Sequence, residues 1–305
     1  MNQLELYFKT FKIPPFIFLK KIKGKIKEMI NNPFKRKKIL TQSRQAEQYT
    51  PVDNSFIDIR SLNKGHIKEE HTEQLLNCYL NHYFDLLGSD WIKFSYRSKA
   101  EGFEGYSYSM NVYTDPIQNI TELKNLLLPA HQAAAEKKLK LIEREYEPID
   151  WQKDPKSGFR WNEKEWFKGQ DQLSMNYKGA DIKIPWEIGR LQHLPQMAVL
   201  TAINSKDSKL SVKEFKNQVL DFTAMNPPGV GVQWSSTMDV GIRVCNLLLA
   251  YDIFSDLDTN DVLDFNFKNI FDRSIKEHAD HILNNLEYQE SLTGNHYLFN
   301  IVGLL

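Results

Sequence analysis

The sequence predicts a mainly α-helical protein built from helical hairpins. Beyond Pro185 the chain shows nearly continuous helical periodicity, and short connections separate the predicted helices. The stretch Asn226-Pro227-Pro228-Gly229 cannot continue a helix, so it marks one of these connections. A length of 305 residues, of which 41% are hydrophobic, is enough to bury a substantial core. No sequence period repeats, so we expect an irregular stack of hairpins.

Residues 1–65 are predicted to form a basic N-terminal segment followed by a polar linker. Residues 1–38 contain eleven Lys and Arg and two Glu, a net charge of +9, so the rest of the chain carries −9. Residues 16–38 favour a solvated amphipathic helix, with peripheral contact to an anionic membrane surface as the alternative. The apolar stretch IPPFIFL is too short and too rich in proline for a secretory signal. No run reaches the ~20 apolar residues of a membrane span. We therefore expect a cytoplasmic location, with the inner membrane surface as a peripheral partner, and no motif indicates nucleic-acid binding.

Residues 66–305 are predicted to form the folded domain, and its first part is the less regular. A helix is predicted over 66–87 and ends at Gly88, and short strands or extended loop follow over 89–120. A second helix is predicted over 121–145, and 150–183 is predicted to be loop. The two cysteines, Cys78 and Cys245, lie in apolar surroundings without metal-type spacing, which favours buried free thiols over a disulfide.

Five helices are predicted after Pro185. They cover 186–204, 212–225, 236–254 and 261–288, and the last begins near Asn295. Ser236, with Asp239 three residues later, predicts a capping box at the start of the third of these helices.

The first of these helices carries candidate binding residues. Trp186, Arg190 and His193 are spaced i, i+4 and i+7, so they share one face of a continuous helix. A tryptophan beside an arginine suits a sugar acid, because the ring supplies an apolar platform and the guanidinium binds a carboxylate. The alternative is structural: Arg190 pairs with Glu187, and His193 is a hydrogen-bonded core histidine.

The segment 226–244 places a glycine-rich loop and Trp234 before a helix that carries Arg243. The loop lacks the Lys-Ser/Thr of a phosphate-binding loop, so we interpret it as a rigid shoulder that presents Trp234. A packing role for Trp234 is equally consistent with this pattern.

Near the end of the chain, Asn295, His296 and Tyr297 open a predicted helix. Backbone N–H groups point outward at a helix N-terminus, which suits binding of an anion. Alternatively, Asn295 serves as the helix cap. His278 and His281 are spaced i and i+3, yet no HExxH pattern or carboxylate accompanies them, and we predict no metal site.

Four ordered stretches carry a resemblance to a known family. They are DWQKDPKSGFRW, DIKIPWEIGRLQHLPQ, NPPGVGVQWSSTMDVGIRV and HILNNLEYQESLTGNHYLFNIVGLL, and the shorter NHYFDLLGSDW precedes them. In order and spacing they resemble the N-terminal part of the heparinase II/III-like family over residues 75–305. Members of this family are polysaccharide lyases with an incomplete (α/α) toroid followed by an antiparallel β-sandwich.

The resemblance implies roles for individual residues. Asn295 and His296 match the family's polar pair, which neutralises a uronate carboxylate or takes part in proton transfer. Arg190 resembles an arginine of the same cleft, and we expect the other predicted binding residues, Trp186, His193, Trp234, Arg243 and Tyr297, to contact an acidic polysaccharide. The chemistry requires no cofactor.

The resemblance also leads us to expect an incomplete enzyme. The family's catalytic tyrosine and β-domain histidine lie downstream, and this sequence ends before either, so we expect little lyase activity from the chain alone. The alternatives are a non-catalytic helical module that binds acidic glycans and, less favoured, an (α/α) glycoside hydrolase. A hydrolase needs two flanking carboxylic acids, and no such pair stands out near the Trp and Arg motifs.

Overall fold

Helices dominate the computed structural model, which describes residues 33–41, 57, 69–170, 177–204, 208–288 and 294–305. The predicted mainly helical fold is confirmed. The α-helices of the described residues are α1 (33–41), α2 (Glu69–Leu80), α3 (Pro129–Leu139), α4 (Lys183–Gly189), α5 (His193–Asn204), α6 (Ser208–Met225), α7 (Thr237–Leu257), α8 (Phe265–Asn284) and α9 (Asn295–Val302). Three short 3-10 turns cover Ile120–Leu126, Phe167–Gly169 and Val232–Trp234.

A β-hairpin replaces the end of the first predicted helix. Helix α2 stops at Leu80, and strands β1 (Tyr83–Asp85) and β2 (Trp91–Lys93) pair antiparallel. Gly88 lies in the hairpin turn with a φ of 72° instead of closing a helix. Along residues 83–87 exposed and buried side chains alternate strictly, which is the pattern of a strand with one face on the core. The predicted helical boundary at Gly88 was therefore wrong, whereas a short strand within 89–120 is confirmed.

The helix predicted over 121–145 is interrupted. A 3-10 turn ends at Leu126, and α3 starts at Pro129, whose fixed φ suits the first helical position and whose missing N–H cannot bond backward. The helix predicted over 186–204 is also two helices. Helix α4 ends at Gly189, Leu191 has a φ of 55°, and α5 begins at His193. Because of this break, Trp186, Arg190 and His193 do not share one helix face.

The segment predicted as loop over 150–183 is irregular but buried in its first half. Arg160 Nε donates to both oxygens of Asp150, at 3.1 and 2.9 Å, and Nη1 donates to Glu163 Oε2 at 2.6 Å. Gly158 has a φ of 80°, and a Cβ there would lie 2.1 Å from the carbonyl oxygen of Tyr108. The segment is therefore a fixed part of the core and not a surface connection.

Helix α7 lies at the centre of the helical hairpins. It packs against α5, α8 and α9, while α6 packs against α3. Stacked rings of Phe215 and Phe254, with centroids 4.8 Å apart, join α6 to α7, and Phe267 of α8 closes on Phe215 at 5.9 Å. Consecutive helices thus bury their apolar faces against one another.

Two further sequence predictions are answered by the fold. Cys78 and Cys245 are free thiols, as predicted, but both are half-buried and not fully buried. None of the helices in the described ranges combines the length and the apolar content that a bilayer crossing requires. The predicted boundary at residue 65 lies outside the described residues. Helix α1, within the predicted N-terminal segment, contacts the rest of the fold.

Candidate functional site

The first turn of α7 is capped by side chains from two directions. Ser236 is the N-cap residue, and its Oγ accepts a hydrogen bond from the N–H of Asp239 at 3.4 Å. The carboxylate of Glu287 accepts from the N–H of Met238 at 2.8 Å. Two of the N–H groups that a helix start leaves unpaired are thereby satisfied. The capping serine was predicted correctly, but the Asp239 carboxylate accepts a hydrogen bond from Arg190 and does not reach back to the cap.

Arg190 reaches this turn from the end of α4. Its Nε donates to Asp239 Oδ1 at 2.5 Å, and its Nη1 pairs with Glu187. The side chain of Asp239 is only 1% exposed, and burial raises the pKa of Glu187. Two of the three guanidinium nitrogens are thus committed to carboxylates. This arrangement matches the structural alternative for Arg190, and the positive charge is balanced locally.

Trp186 braces the opposite side of the same turn. Its indole N–H donates to the Val232 carbonyl at 3.2 Å and to Ser235 Oγ at 3.0 Å. The side chain is half-buried. A tryptophan held in this way offers a fixed apolar platform.

Helix α9 brings its N-terminal residues to the turn from the third side. Asn295 Nδ2 lies 3.7 Å from Met238 Sδ, and His296 Nδ1 lies 3.1 Å from Glu287 Oε1. Gly294 occupies the N-cap position without a side-chain cap, so the alternative in which Asn295 caps the helix was wrong. Asn295 and His296 are exposed, and Tyr297 packs its ring on Tyr288 at 5.1 Å.

These contacts bring four of the predicted site residues together around Ser235–Asp239. We call Trp186, Arg190, Asn295 and His296, together with Glu287, the α7 cluster. Its members come from three parts of the sequence, and each contacts the turn or the carboxylate that caps it. The cluster offers a half-buried aromatic ring, an amide and an imidazole at one place on the surface.

The other predicted binding residues lie in the core. His193 is 4% exposed, bonds through Nε2 to Gln218 at 2.7 Å, and contacts the rings of Tyr79 and Phe84. Burial lowers the pKa of His193 to about 4, so the ring is neutral near pH 7. This is the core-histidine alternative, and the position does not suit ligand contact.

Arg243 and Trp234 are also buried. The guanidinium of Arg243 donates to the carbonyl oxygens of Gly189 and Gln233 and lies 4.5 Å over the ring of Phe222. Burial lowers the pKa of Arg243 to about 9. Trp234 is 2% exposed and donates to the Asn226 carbonyl at 3.0 Å. Both side chains fix the turn that precedes α7, so they position the cluster without touching a surface ligand.

His278 and His281 pack against Trp234, each with its ring centroid 5.0 Å from the indole. Burial lowers the pKa of His278 to about 3, which keeps this imidazole neutral. Within the described ranges no group of three or more His, Cys, Asp or Glu side chains is placed to hold a metal ion. The geometry therefore gives these histidines a packing role.

Glu287 is the member of the cluster that sequence reasoning missed. It binds Met238, His296 and Asn300, and its own N–H donates to Asn300 Oδ1 at 2.7 Å. Its position nine residues before His296 follows no helical or strand period, because Glu287 lies outside the helix that carries His296. The one sequence signal for Glu287 is that an acidic residue lies close to the GNHY motif.

An open depression elsewhere on the fold is lined by Tyr251, Asp258 and Leu263 among others. It lies at the C-terminal end of α7, about 25 Å along the helix from the cluster at 1.5 Å per residue.

Comparison of the chain with family models, curated proteins and solved structures finds no match in any of the three.

Proposed function

We propose that this chain provides the helical part of a polysaccharide lyase that acts on a uronic-acid-containing glycan. The observation that carries the proposal is the convergence of three separate motifs, PWEIGR, WSSTMD and GNHY, on the start of α7. These motifs are the ones that resemble heparinase II/III-like lyases. In this proposal the hairpins form an incomplete toroid, and a β-sandwich of the kind found in that family completes the enzyme.

The proposed reaction is β-elimination. A base removes the proton from C5 of the uronate, the electron pair forms the C4=C5 double bond, and the C4–O bond breaks. The leaving glycosidic oxygen takes up a proton. Loss of the C5 proton is difficult because negative charge builds up beside the carboxylate. Hydrogen-bond donors on that carboxylate stabilise the intermediate and lower the barrier.

The cluster provides groups for two of these tasks. The Asn295 amide donates to the uronate carboxylate, and the indole of Trp186 supports the sugar ring. A carboxylate accepts hydrogen bonds, so the Nδ1 of His296 carries the hydrogen that it shares with Glu287. In the neutral form of the ring the lone pair then resides on Nε2, where it takes part in proton transfer. Arg190 positions the turn through Asp239.

A second function, non-catalytic binding of an acidic glycan, is favoured by one observation. The ring of Tyr297, beside the cluster, packs against Tyr288. His296 is therefore the titratable group at the start of α9 that is best placed to move a proton. Elimination needs a proton acceptor and a proton donor, whereas binding needs neither. A glycoside hydrolase is less favoured, because Glu187 and Asp239 both bind Arg190. The third neighbouring acid, Glu287, accepts hydrogen bonds from Met238 N and Asn300.

The experiment compares binding and turnover in the same variants. Asn295→Ala and His296→Ala are expected to weaken binding of a uronate oligomer by about 10-fold or more, the effect of a lost hydrogen bond to a charged group. A neutral oligomer of equal length is expected to bind each variant as it binds the unchanged protein. His71→Ala, an exposed histidine on α2, is the matched control.

Ultraviolet absorbance of the unsaturated uronate separates the two functions. The chain alone is expected to turn over slowly, so the assay uses high protein concentration and long incubation. Slow growth of absorbance that disappears in His296→Ala supports the lyase, while selective binding with no absorbance under these conditions supports the binding module. Equal losses for acidic and neutral oligomers contradict both proposals.

A further inference from the structure

Helix α1 is docked on the fold through one of its faces. Arg36 pairs with Glu165 at 3.5 Å and lies 6.0 Å from the centroid of Trp166. The carbonyl oxygen of Ile39 lies 2.9 Å from His131 Nε2. The Ile39 side chain covers Gly229, where an added Cβ would meet it at 3.0 Å. These contacts fix the basic helix to the body of the protein.

The opposite face of α1 is basic and exposed. At 100° per residue, Phe34, Lys37 and Lys38 point away from the face that contains Arg36 and Ile39, and Lys35 lies at the edge. Phe34 is 75% exposed. Among the described residues, none of the three lysines has an ion-pair partner. A large apolar ring surrounded by uncompensated lysines is the composition of a surface that binds at a lipid interface.

The sequence that precedes α1 is also basic and apolar. Residues 1–32 contain seven Lys and two Glu, a net charge of +5, and they include apolar stretches such as IPPFIFL. Nucleic acid requires the positive charge but not exposed phenylalanine, whereas an anionic bilayer accommodates both. We propose that the face of α1 formed by Phe34, Lys35, Lys37 and Lys38 binds the surface of an anionic lipid membrane.

The docking of α1 determines which part of the protein faces the lipid. Glu165 and Trp166, which hold α1, lie on a segment that bonds to the turn preceding α7. Phe167 N donates to the Gly229 carbonyl at 3.1 Å, and Gly231 N donates to the Glu165 carbonyl at 2.9 Å. This turn continues through Val232–Trp234 into the α7 cluster. Membrane binding through α1 therefore attaches the lipid surface to the segment that supports the turn preceding α7. The proposal does not depend on lyase activity.

The test is co-sedimentation of the full 305-residue protein with vesicles at about 0.15 M salt, where the Debye length of about 8 Å is shorter than the diameter of the helix. Vesicles of phosphatidylcholine alone are compared with vesicles that contain phosphatidylglycerol. Each lysine near an anionic surface contributes about fivefold in affinity, so Lys35→Ala/Lys37→Ala/Lys38→Ala is expected to weaken binding on the order of 100-fold. The matched control is Lys99→Ala/Lys183→Ala/Lys209→Ala, which removes the same charge from three exposed lysines outside α1.

Two neighbouring single variants test the face itself. Lys37→Ala is expected to weaken vesicle binding about fivefold, whereas Arg36→Ala, on the docked face, is expected to change it less than twofold. Phe34→Ser is expected to weaken binding without changing its dependence on salt. Equal losses for Lys37→Ala and Arg36→Ala overturn the proposal. So does equal binding to both kinds of vesicle, or retention on RNA or duplex DNA with none on vesicles.

Discussion

The packing of α9 on α7 leaves no room for a methyl group at the point where the two helices cross. The two helices cross at Gly241 of α7, where an added Cβ would lie 2.4 Å from the carbonyl oxygen of Phe299. At the same crossing, a Cβ on Gly303 would lie 2.7 Å from the Cα of Gly241. Both neighbours are backbone atoms, which cannot rotate out of the way. We therefore predict that Gly241→Ala displaces α9, together with Asn295 and His296.

The magnitude follows from two opposing effects that act on different equilibria. Overpacking by one methyl group costs about 1–3 kcal/mol, and this cost disappears when α9 detaches. Alanine also stabilises the interior of α7 by about 1 kcal/mol relative to glycine, whether α9 is attached or not. The equilibrium constant for detachment of α9 should therefore rise about 5- to 150-fold, while the midpoint temperature of thermal unfolding changes little.

Hydrogen exchange measured by mass spectrometry on peptides from 294–305 tests this prediction. Exchange in α9 is expected to accelerate in Gly241→Ala and in Gly303→Ala, and to stay unchanged in the α7 peptides. Ser255→Ala, at an exposed position of α7 away from α9, is the control. Unchanged exchange in α9, or equal acceleration in the Ser255→Ala control, would refute the reasoning.

Three further predictions concern buried or bridging charges. Arg160→Met leaves the carboxylates of Asp150 and Glu163 buried without their partner and should lower the free energy of unfolding by about 3–5 kcal/mol in urea titration, whereas Arg160→Lys should cost less. Burial raises the pKa of Asp221 from 3.8 to about 7, so the folded state binds its proton more tightly than the unfolded chain does. The free energy of unfolding should therefore fall as pH rises from about 4 to 7, by at most about 1.4 kcal/mol per pH unit. Asp221→Asn should remove this slope, and an equal slope in the variant contradicts the assignment. Glu287→Ala removes the acceptor at Met238 N and should lower stability by about 1 kcal/mol in thermal melts, while Glu143→Ala, a half-exposed control, should not.

The sequence by itself determined the helical class of the protein and most of its helix starts. Ser236 was predicted to cap α7 because a serine followed three residues later by an acid is a local signal, and the connection at Asn226–Gly229 followed from the chemistry of proline. Such features depend on neighbours within four residues, so one sequence is enough to predict them.

Only the tertiary structure decided the features that depend on burial and on distant partners. The residues after Leu80 fit a helix or a strand, and packing of Phe84 on His193, 4.6 Å between ring centroids, accompanies the hairpin. The break at Leu191 places His193 in the core, and the arginine that predicted a carboxylate site is bound by Asp239, 49 residues away. Glu287 belongs to the cluster through contacts with Met238, 49 residues away, and with His296 of α9. A side chain's role depends on what surrounds it in space, and these partners lie too far along the chain for any local period to indicate them.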